Sequence, residues 1–432
     1  MPGAPSRPPP LPPRVGFGVN ELRLNGRQWL AAFALLGLVA LLTPSVWERI
    51  ERFETGPDYR LPYSLSKDYW LYARRLRQAV RSDPRKVFVL GDSVVWGEYV
   101  APDGTLTHFL NEEAASRGTG VPEPFGVPPS GGRTSGTGVP PASLGQDAQA
   151  TTRPAGTDRF INGGLNGLFP LAQEGLLTYY GAALRHQKVI LHCNVLWLTS
   201  PKADLSTPKE ESFNHSRLVP QFWPRIPCYR AEANERLSAL VERKVGFIAW
   251  IAHLQNAYFH QESVLSWTLE DDGGSPPCYT NCWRNPLAQI TLTVPRAPKD
   301  DPDRGPASKR HKPWSTEAEG TTRFEWVDLE ASLQWRAFQR VVRTLQARDN
   351  DVLVVLGPFN EHIMAQENRP AYRKIRDGIA AWLTANHVAH VVPETLPSGL
   401  YADASHPLTE GYRMWARGLY QDSVFRNWLA AP

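Results

Sequence analysis

The sequence has few cysteines and no large excess of either charge. Its 432 residues include only four cysteines, and 47 lysines and arginines nearly balance 43 aspartates and glutamates. A formal net charge of +4 over this length lacks the basic footprint of a nucleic-acid-binding protein, so we expect no nucleic-acid partner. Cys278 and Cys282 could bridge a short loop in an oxidising compartment, but no second pair or histidine cluster accompanies them. The sequence therefore indicates neither a metal nor another cofactor.

Ionisable side chains are absent from residues 28–47. This apolar stretch is long enough to cross a bilayer as a helix, and Trp29 and Trp47 sit near its ends, as interfacial aromatics do. The tail before it, residues 1–27, is rich in proline and arginine, and a connecting segment of mixed charge, residues 48–83, follows. The arginine excess predicts a single-pass membrane anchor with the N-terminus in the cytoplasm and the rest of the chain outside. A cleaved signal peptide and a buried core helix are the alternatives, although no small-x-small cleavage site follows the stretch.

Two segments lack hydrophobic periodicity. Residues 118–158 contain nine glycines and seven prolines, which predicts a disordered insertion. Residues 296–322 are dense in charge and predict a solvated polar loop. We expect the remainder of residues 84–425 to form one domain that carries both insertions.

Strand-like and helix-like patterns alternate through this domain. Most of the strand candidates are runs of valine, isoleucine and leucine, as in parallel strands that are covered on both faces. The pattern predicts an α/β fold, a three-layer α/β/α sandwich with a mostly parallel five-stranded sheet. The strand candidates are residues 86–90, 159–162, 188–195, 351–357 and 389–392.

The first predicted strand ends in Gly91-Asp92-Ser93. In open α/β sheets, ligands bind beyond the carboxyl ends of the strands. Gly91 permits a tight turn, and Ser93 then falls at the start of a helix, beside unpaired backbone N–H groups. This position suits a nucleophile whose product is an oxyanion, although a helix cap is the plainer alternative.

Three more strand ends or turns carry polar groups. The turn FINGGLNG includes Gly164, whose bare backbone can approach a ligand or can simply form a turn. Asn194 ends the third strand with an amide that either faces a ligand or is satisfied by the backbone. Asp403 and His406 are spaced so that the carboxylate can hold one imidazole nitrogen and leave the other as a base.

Taken in order, these segments resemble the blocks of the SGNH or GDSL hydrolase superfamily: Gly-Asp-Ser, a glycine, an asparagine, and Asp-x-x-His. The resemblance covers residues 84–425 apart from the insertions, and it implies the flavodoxin-like sheet of that family. It also implies that Ser93 is the nucleophile, that His406 is the general base and acid, and that Asp403 orients His406.

The resemblance further implies an oxyanion hole built from the N–H groups of Ser93 and Gly164 and the side-chain amide of Asn194. The third block departs from the family, because His192-Cys193-Asn194-Val195 stands where Gly-x-Asn-Asp is usual. Some members of the family are membrane-anchored and transfer acyl groups to envelope polysaccharides, as alginate O-acetylation proteins do. These members also depart from the usual residues of the third block.

The expected function is a membrane-anchored serine esterase or O-acyltransferase that works through an acyl-enzyme. An anchor, large insertions and 15 tryptophans able to stack on sugar faces favour the acyl esters of an extracytoplasmic glycan as substrate. The alternative is a non-catalytic anchored binding or scaffold protein of the cell envelope that keeps the same fold.

Other histidines and acids are expected to have structural roles. His253 and His260 lie in or beside an apolar helical pattern and are predicted to pack in the core or against the membrane surface. Glu361 and His362 follow the fourth strand and are predicted to belong to loop structure.

Overall fold

The structure is a computed structural model. Most of the two predicted insertions lies outside its described residues, as do Cys278 and Cys282. The chain divides into two compact units, Met1–Arg49 and Ile50–Pro432. The described residues are 24–53, 60–83, 85–118, 159–209, 214–269, 284–294, 314, 320 and 322–431.

One long helix, α1, begins at Gly26 in the first unit, and its last residue is Ile50, the first residue of the second unit. None of its 25 residues is buried, and the mean hydropathy of its most apolar 18-residue window is 2.0. The predicted span, residues 28–47, lies within it. α1 is therefore long and apolar enough to cross a membrane, a property that a signal sequence shares.

The second unit is built on a five-stranded sheet in the order β2-β1-β3-β4-β5, and every neighbouring pair is parallel. The predicted α/β class and all five strands are confirmed, and the sheet is parallel throughout. β1 to β3 are buried almost completely, which explains why their sequences do not alternate with polar residues. The strands are β1 Val87–Leu90, β2 Phe160–Asn162, β3 Lys188–Cys193, β4 Asp351–Leu356 and β5 Ala389–Val391.

Helices cover the sheet on both faces. Three of them, α4, α12 and α13, share one buried cluster with side chains from all five strands. In the other layer α10 packs on α5 and contacts β4, and α11 contacts β5. The helices of the second unit are α2 Tyr69–Ser82, α3 Ser93–Trp96, α4 Leu106–Gly118, α5 Pro170–Tyr179, α6 Ala233–Lys244, α7 Gly246–Tyr258, α8 Val264–Leu269, α9 Pro286–Gln289, α10 Leu333–Gln346, α11 Arg369–Ala385, α12 Thr409–Gln421 and α13 Ser423–Ala430.

The predicted connecting segment contributes α2 to the second unit. Oδ1 of Asp68 accepts the N–H of Leu71 and caps this helix. Most of α2 is buried, and the hydroxyl of Tyr72 donates to the carbonyl of Gly163, 3.1 Å away, in the turn after β2. Residues 60–83 are therefore part of the domain's core.

His253 on α7 is fully buried, as its apolar helical pattern predicts. Its Nδ1 lies 2.7 Å from Oδ2 of Asp68, and its Nε2 lies 2.9 Å from Oε1 of Glu51. Burial lowers the pKa of His253, but the two carboxylates outweigh it and raise the pKa to about 9. His260, beyond the end of α7, is exposed.

Candidate active site

Ser93 lies where β1 ends and α3 begins. Oδ1 of Asp92 accepts the N–H of Val94 at 3.0 Å and caps this single-turn helix, and Gly97 ends it with φ at +88°. A left-handed residue here favours glycine, because a Cβ would strain the backbone. The capping alternative thus applies to Asp92, and the Ser93 side chain is left for another partner.

Three predicted residues come together beyond the carboxyl ends of the strands. Oγ of Ser93 lies 2.8 Å from Nε2 of His406. Nδ1 of His406 lies 2.8 Å from both carboxylate oxygens of Asp403. The three side chains form a continuous chain of hydrogen bonds, although Ser93 and His406 are 313 positions apart in sequence.

The turn that carries Asp403 and His406 is held by its own polar groups. Oδ1 of Asp403 accepts the backbone N–H groups of Ser405 and His406, each at 2.9 Å. From the loop after β4, the amide of Asn360 donates to the carbonyl of Asp403 at 3.0 Å. These contacts hold the turn, and with it the Asp403 carboxylate, in the position from which the carboxylate contacts the imidazole.

The charges of this group act strongly on one another. Burial by itself lowers the pKa of His406, but the carboxylates of Asp403 and Glu98 outweigh it and raise the pKa to about 10. For Asp403 the effects are reversed: burial by itself raises the pKa, but His406 and the two backbone N–H groups hold the pKa below its usual value. These shifts favour an ionised Asp403 and a positively charged His406 at neutral pH.

Asp92 is a fully buried carboxylate beneath Ser93. Its Oδ2 accepts the side-chain amide of Asn194 and the indole N–H of Trp197, each at 2.9 Å. Burial raises the pKa of Asp92, but His192 and the amide of Asn194 hold it below its ordinary value. Oδ1 lies 3.6 Å from Nδ1 of His192. This carboxylate ties the start of α3 to the end of β3.

Gly164 lies directly against α3. A Cβ on Gly164 would come within 2.5 Å of the backbone nitrogen of Trp96, so only glycine fits. Its N–H donates to Oδ1 of Asn162 at 3.0 Å, and the Asn162 amide donates to the carbonyl of Val95 at 2.9 Å. The bare backbone that the sequence predicts serves this contact with α3.

The three predicted oxyanion-hole donors differ in whether their hydrogens are already used in hydrogen bonds within the protein. The N–H of Ser93 has no acceptor among the residues that the structure describes. One hydrogen of the Asn194 amide is used by Asp92, while a primary amide carries two. The N–H of Gly164 is occupied by Asn162.

No protein-family model matches this chain, and no curated protein does.

Several residues of the site have no signal in the sequence. Glu98 places Oε2 3.2 Å from Nε2 of His406, on the same side of the ring as Ser93. Asn360 reaches the site from the loop after β4, and Trp197 reaches it from the short 3-10 helix Val195–Leu198 after β3. Glu361 and His362 have loop roles, as predicted: Thr395 donates to Glu361, and His362 contacts the carbonyl of Leu396. Glu98, Trp197 and Asn360 share only a position in the segments that follow β1, β3 and β4, which does not single them out.

Proposed function

We propose that this protein is a serine esterase or O-acyltransferase of the SGNH type, with Ser93 as nucleophile, His406 as base and Asp403 as the residue that orients His406. The single observation that supports it best is the unbroken chain from Oγ of Ser93 through the imidazole to Asp403, with 2.8 Å at each step. A serine, an imidazole and a carboxylate in this order are what acyl transfer requires.

The first half-reaction would make an acyl-enzyme. A serine hydroxyl is a weak nucleophile until a base removes its proton during attack. Oγ of Ser93 bonds to the ester carbonyl carbon while its proton passes to Nε2 of His406. The tetrahedral intermediate then breaks its bond to the alcohol oxygen, and His406 returns the proton to that alcohol as it leaves.

The second half-reaction would release the acyl group. Water or a sugar hydroxyl gives its proton to Nε2 of His406 and attacks the acyl carbon, and Ser93 leaves with the proton back on Oγ. Throughout, Asp403 keeps Nδ1 protonated and stabilises the imidazolium. Water as acceptor makes the protein an esterase, and a hydroxyl makes it a transferase.

The negative oxygen of each intermediate needs preorganised donors. In this proposal the N–H of Ser93 and the second amide hydrogen of Asn194 supply them, and such a donor contributes on the order of 3 kcal/mol. The N–H of Gly164 joins them only if it leaves Asn162. Asp92 supports the arrangement by holding Asn194.

The proposed substrate is an acyl ester of an extracytoplasmic glycan, and the proposed location is a membrane with the N-terminus in the cytoplasm. The tail carries Arg7, Arg14, Arg23 and Arg27 against one acid, Glu21, which is the charge bias of a cytoplasmic flank. With α1 as an anchor, the catalytic domain would face the envelope.

The orientation predicts different protease access at the two ends of the chain. In right-side-out membrane vesicles, protease should remove an epitope tag at the C-terminus and spare a tag at the N-terminus until detergent is added. Tags that are both removed, or a chain that separates from the membrane without its N-terminal tag, would contradict the anchored orientation.

A serine-reactive fluorophosphonate tests the chemistry without knowledge of the substrate. The full-length protein in detergent should be labelled, and Ser93→Ala should abolish labelling because, among the described residues, Ser93 is the hydroxyl that contacts Nε2 of His406. Ser82→Ala, at the exposed end of α2, is the matched control and should be labelled like the wild type. A wild type that stays unlabelled supports the alternative, a non-catalytic scaffold.

A further inference from the structure

Glu98 stands in a constrained turn directly after α3. The N–H groups of Gly97 and Glu98 both donate to the carbonyl of Ser93, at 2.9 and 3.0 Å. Tyr99, the next residue, has φ at +67°, a left-handed conformation that a residue with a large side chain seldom adopts. Non-glycine strain of this kind persists where the surroundings impose it.

Arg60 fixes this turn from behind. Its guanidinium lies over the ring of Trp96, 4.4 Å from the centroid, and Nη1 donates to the carbonyls of Trp96, Gly97 and Val100. These carbonyls flank Glu98 on both sides. The backbone of Glu98 is therefore held in place, which limits the positions that its carboxylate can reach.

The carboxylate shares Nε2 of His406 with the nucleophile. Oε2 of Glu98 lies 3.2 Å from Nε2, and Oγ of Ser93 lies 2.8 Å from the same atom. A carboxylate only accepts hydrogen bonds, so its approach favours the form of His406 that carries a proton on Nε2. That form cannot take the proton of Ser93.

The other described groups that face His406 do not contact Nε2. Asp403 and Ser405 face Nδ1, the latter with Oγ at 3.5 Å. Tyr99 packs the edge of its ring against the imidazole, 5.3 Å between centroids. Asp92 and Tyr412 lie beneath and interact with the site through their charge and hydroxyl. Among the described residues, Glu98 is the carboxylate that contacts the base on its working side.

We propose that Glu98 is a positioning residue for His406. The Glu98 carboxylate favours a proton on Nε2 of His406 in the resting protein and stabilises the imidazolium when Ser93 reacts. This inference rests on the proposed acyl-transfer function. It predicts two opposing effects: Glu98 reduces the fraction of neutral base in the resting protein, and it favours the charged base formed during attack. Loss of the Glu98 charge should therefore raise the fraction of neutral His406 in the resting protein and slow the attack made by that neutral form.

The pH profile of fluorophosphonate labelling tests this proposal. Attack by Ser93 bonds Oγ to phosphorus, expels fluoride and transfers the hydroxyl proton to Nε2, so the rate follows the neutral fraction of His406. Labelling of the wild type should still rise near pH 10, because the pKa of His406 is raised to about 10. In Glu98→Gln the profile should level off at least one pH unit lower and at a lower plateau. The neutral fraction of His406 at pH 7 should therefore be about tenfold higher, and the labelling rate there should rise by a smaller factor.

Controls separate this effect from a general loss of charge. Glu112→Gln removes a half-exposed carboxylate that pairs with His108, and its profile should match the wild type. Glu98→Asp keeps the charge and should restore much of the wild-type profile. A Glu98→Gln profile that superimposes on the wild type, or that moves to higher pH, overturns the proposal.

A second measurement keeps the proposal testable if the protein does not react with the probe. The carbon-13 signal of the His406 imidazole, assigned by its loss in His406→Gln, reports the titration directly in the full-length protein. Glu98→Gln should lower the midpoint by at least one pH unit even in an unreactive protein. An unchanged midpoint overturns the role of Glu98, whereas an unlabelled wild type with a shifted midpoint overturns only the proposed function.

Discussion

Replacement of His406 by glutamine is expected to slow fluorophosphonate labelling of Ser93 by about 10³- to 10⁴-fold at pH 10, where much of the wild-type His406 is neutral. Glutamine can occupy the place of the imidazole but cannot accept a proton at this pH. Ser93 would then react with its proton still bound, and Asp403 would lose the partner that contacts both of its oxygens. The rate constant of labelling at saturating probe measures the effect.

The matched control is His108→Gln, because His108 pairs with Glu112 on the surface of α4, away from the three-residue chain. It should label at the wild-type rate, and both variants should keep the wild-type melting temperature to within a few degrees. A His406→Gln protein that is folded and labels at more than a tenth of the wild-type rate would show that Ser93 does not depend on this base.

Substitution of Asp92 by asparagine is expected to lower the free energy of unfolding by about 2–4 kcal/mol and to reduce labelling of Ser93 as well. The carboxylate accepts from the N–H of Val94 and from the side chains of Asn194 and Trp197. An amide offers only one acceptor oxygen, so either orientation sets its NH₂ group against a buried donor. The start of α3, and Ser93 with it, would shift.

Asp204→Asn separates loss of stability from loss of the site. Asp204 is also fully buried, and its carboxylate accepts from the hydroxyl of Ser332 and the N–H groups of Leu333 and Gln334 at the start of α10. Denaturant unfolding should show a comparable loss for both variants, while only Asp92→Asn should lose labelling below the unfolding transition. Equal labelling in the two variants would contradict the positioning role of Asp92.

The sheet was predictable because its strands are buried on both faces. Val87–Leu90 and Lys188–Cys193 are runs of apolar residues that have few alternatives to a covered parallel strand. Helix ends were less predictable: α6 and α7 are separated by the single residue Val245, which takes an extended conformation before Gly246, a poor helix former. The role of α2 in the core depends on contacts across the fold, such as Tyr72 to Gly163, which no local pattern records.

At the site, a contact between two predicted residues could be expected from the sequence where both lie in one short segment. The spacing of Asp403 and His406 makes their contact almost a local property of one turn. Glu98 is different, since only the fold brings it to a histidine 308 positions later in the chain. The orientation of the Asn194 amide could not be predicted from the sequence either, because it depends on the buried charge of Asp92.

The site of covalent modification tests the central claim most directly. After the full-length protein has reacted with the fluorophosphonate, peptide mapping by mass spectrometry should find the phosphonyl group on Ser93, and on Ser93 alone, in the wild type. A phosphonyl group on Ser405 or another hydroxyl, or equal modification of Ser93 in His406→Gln, would contradict an acyl-transfer site built from Ser93, His406 and Asp403.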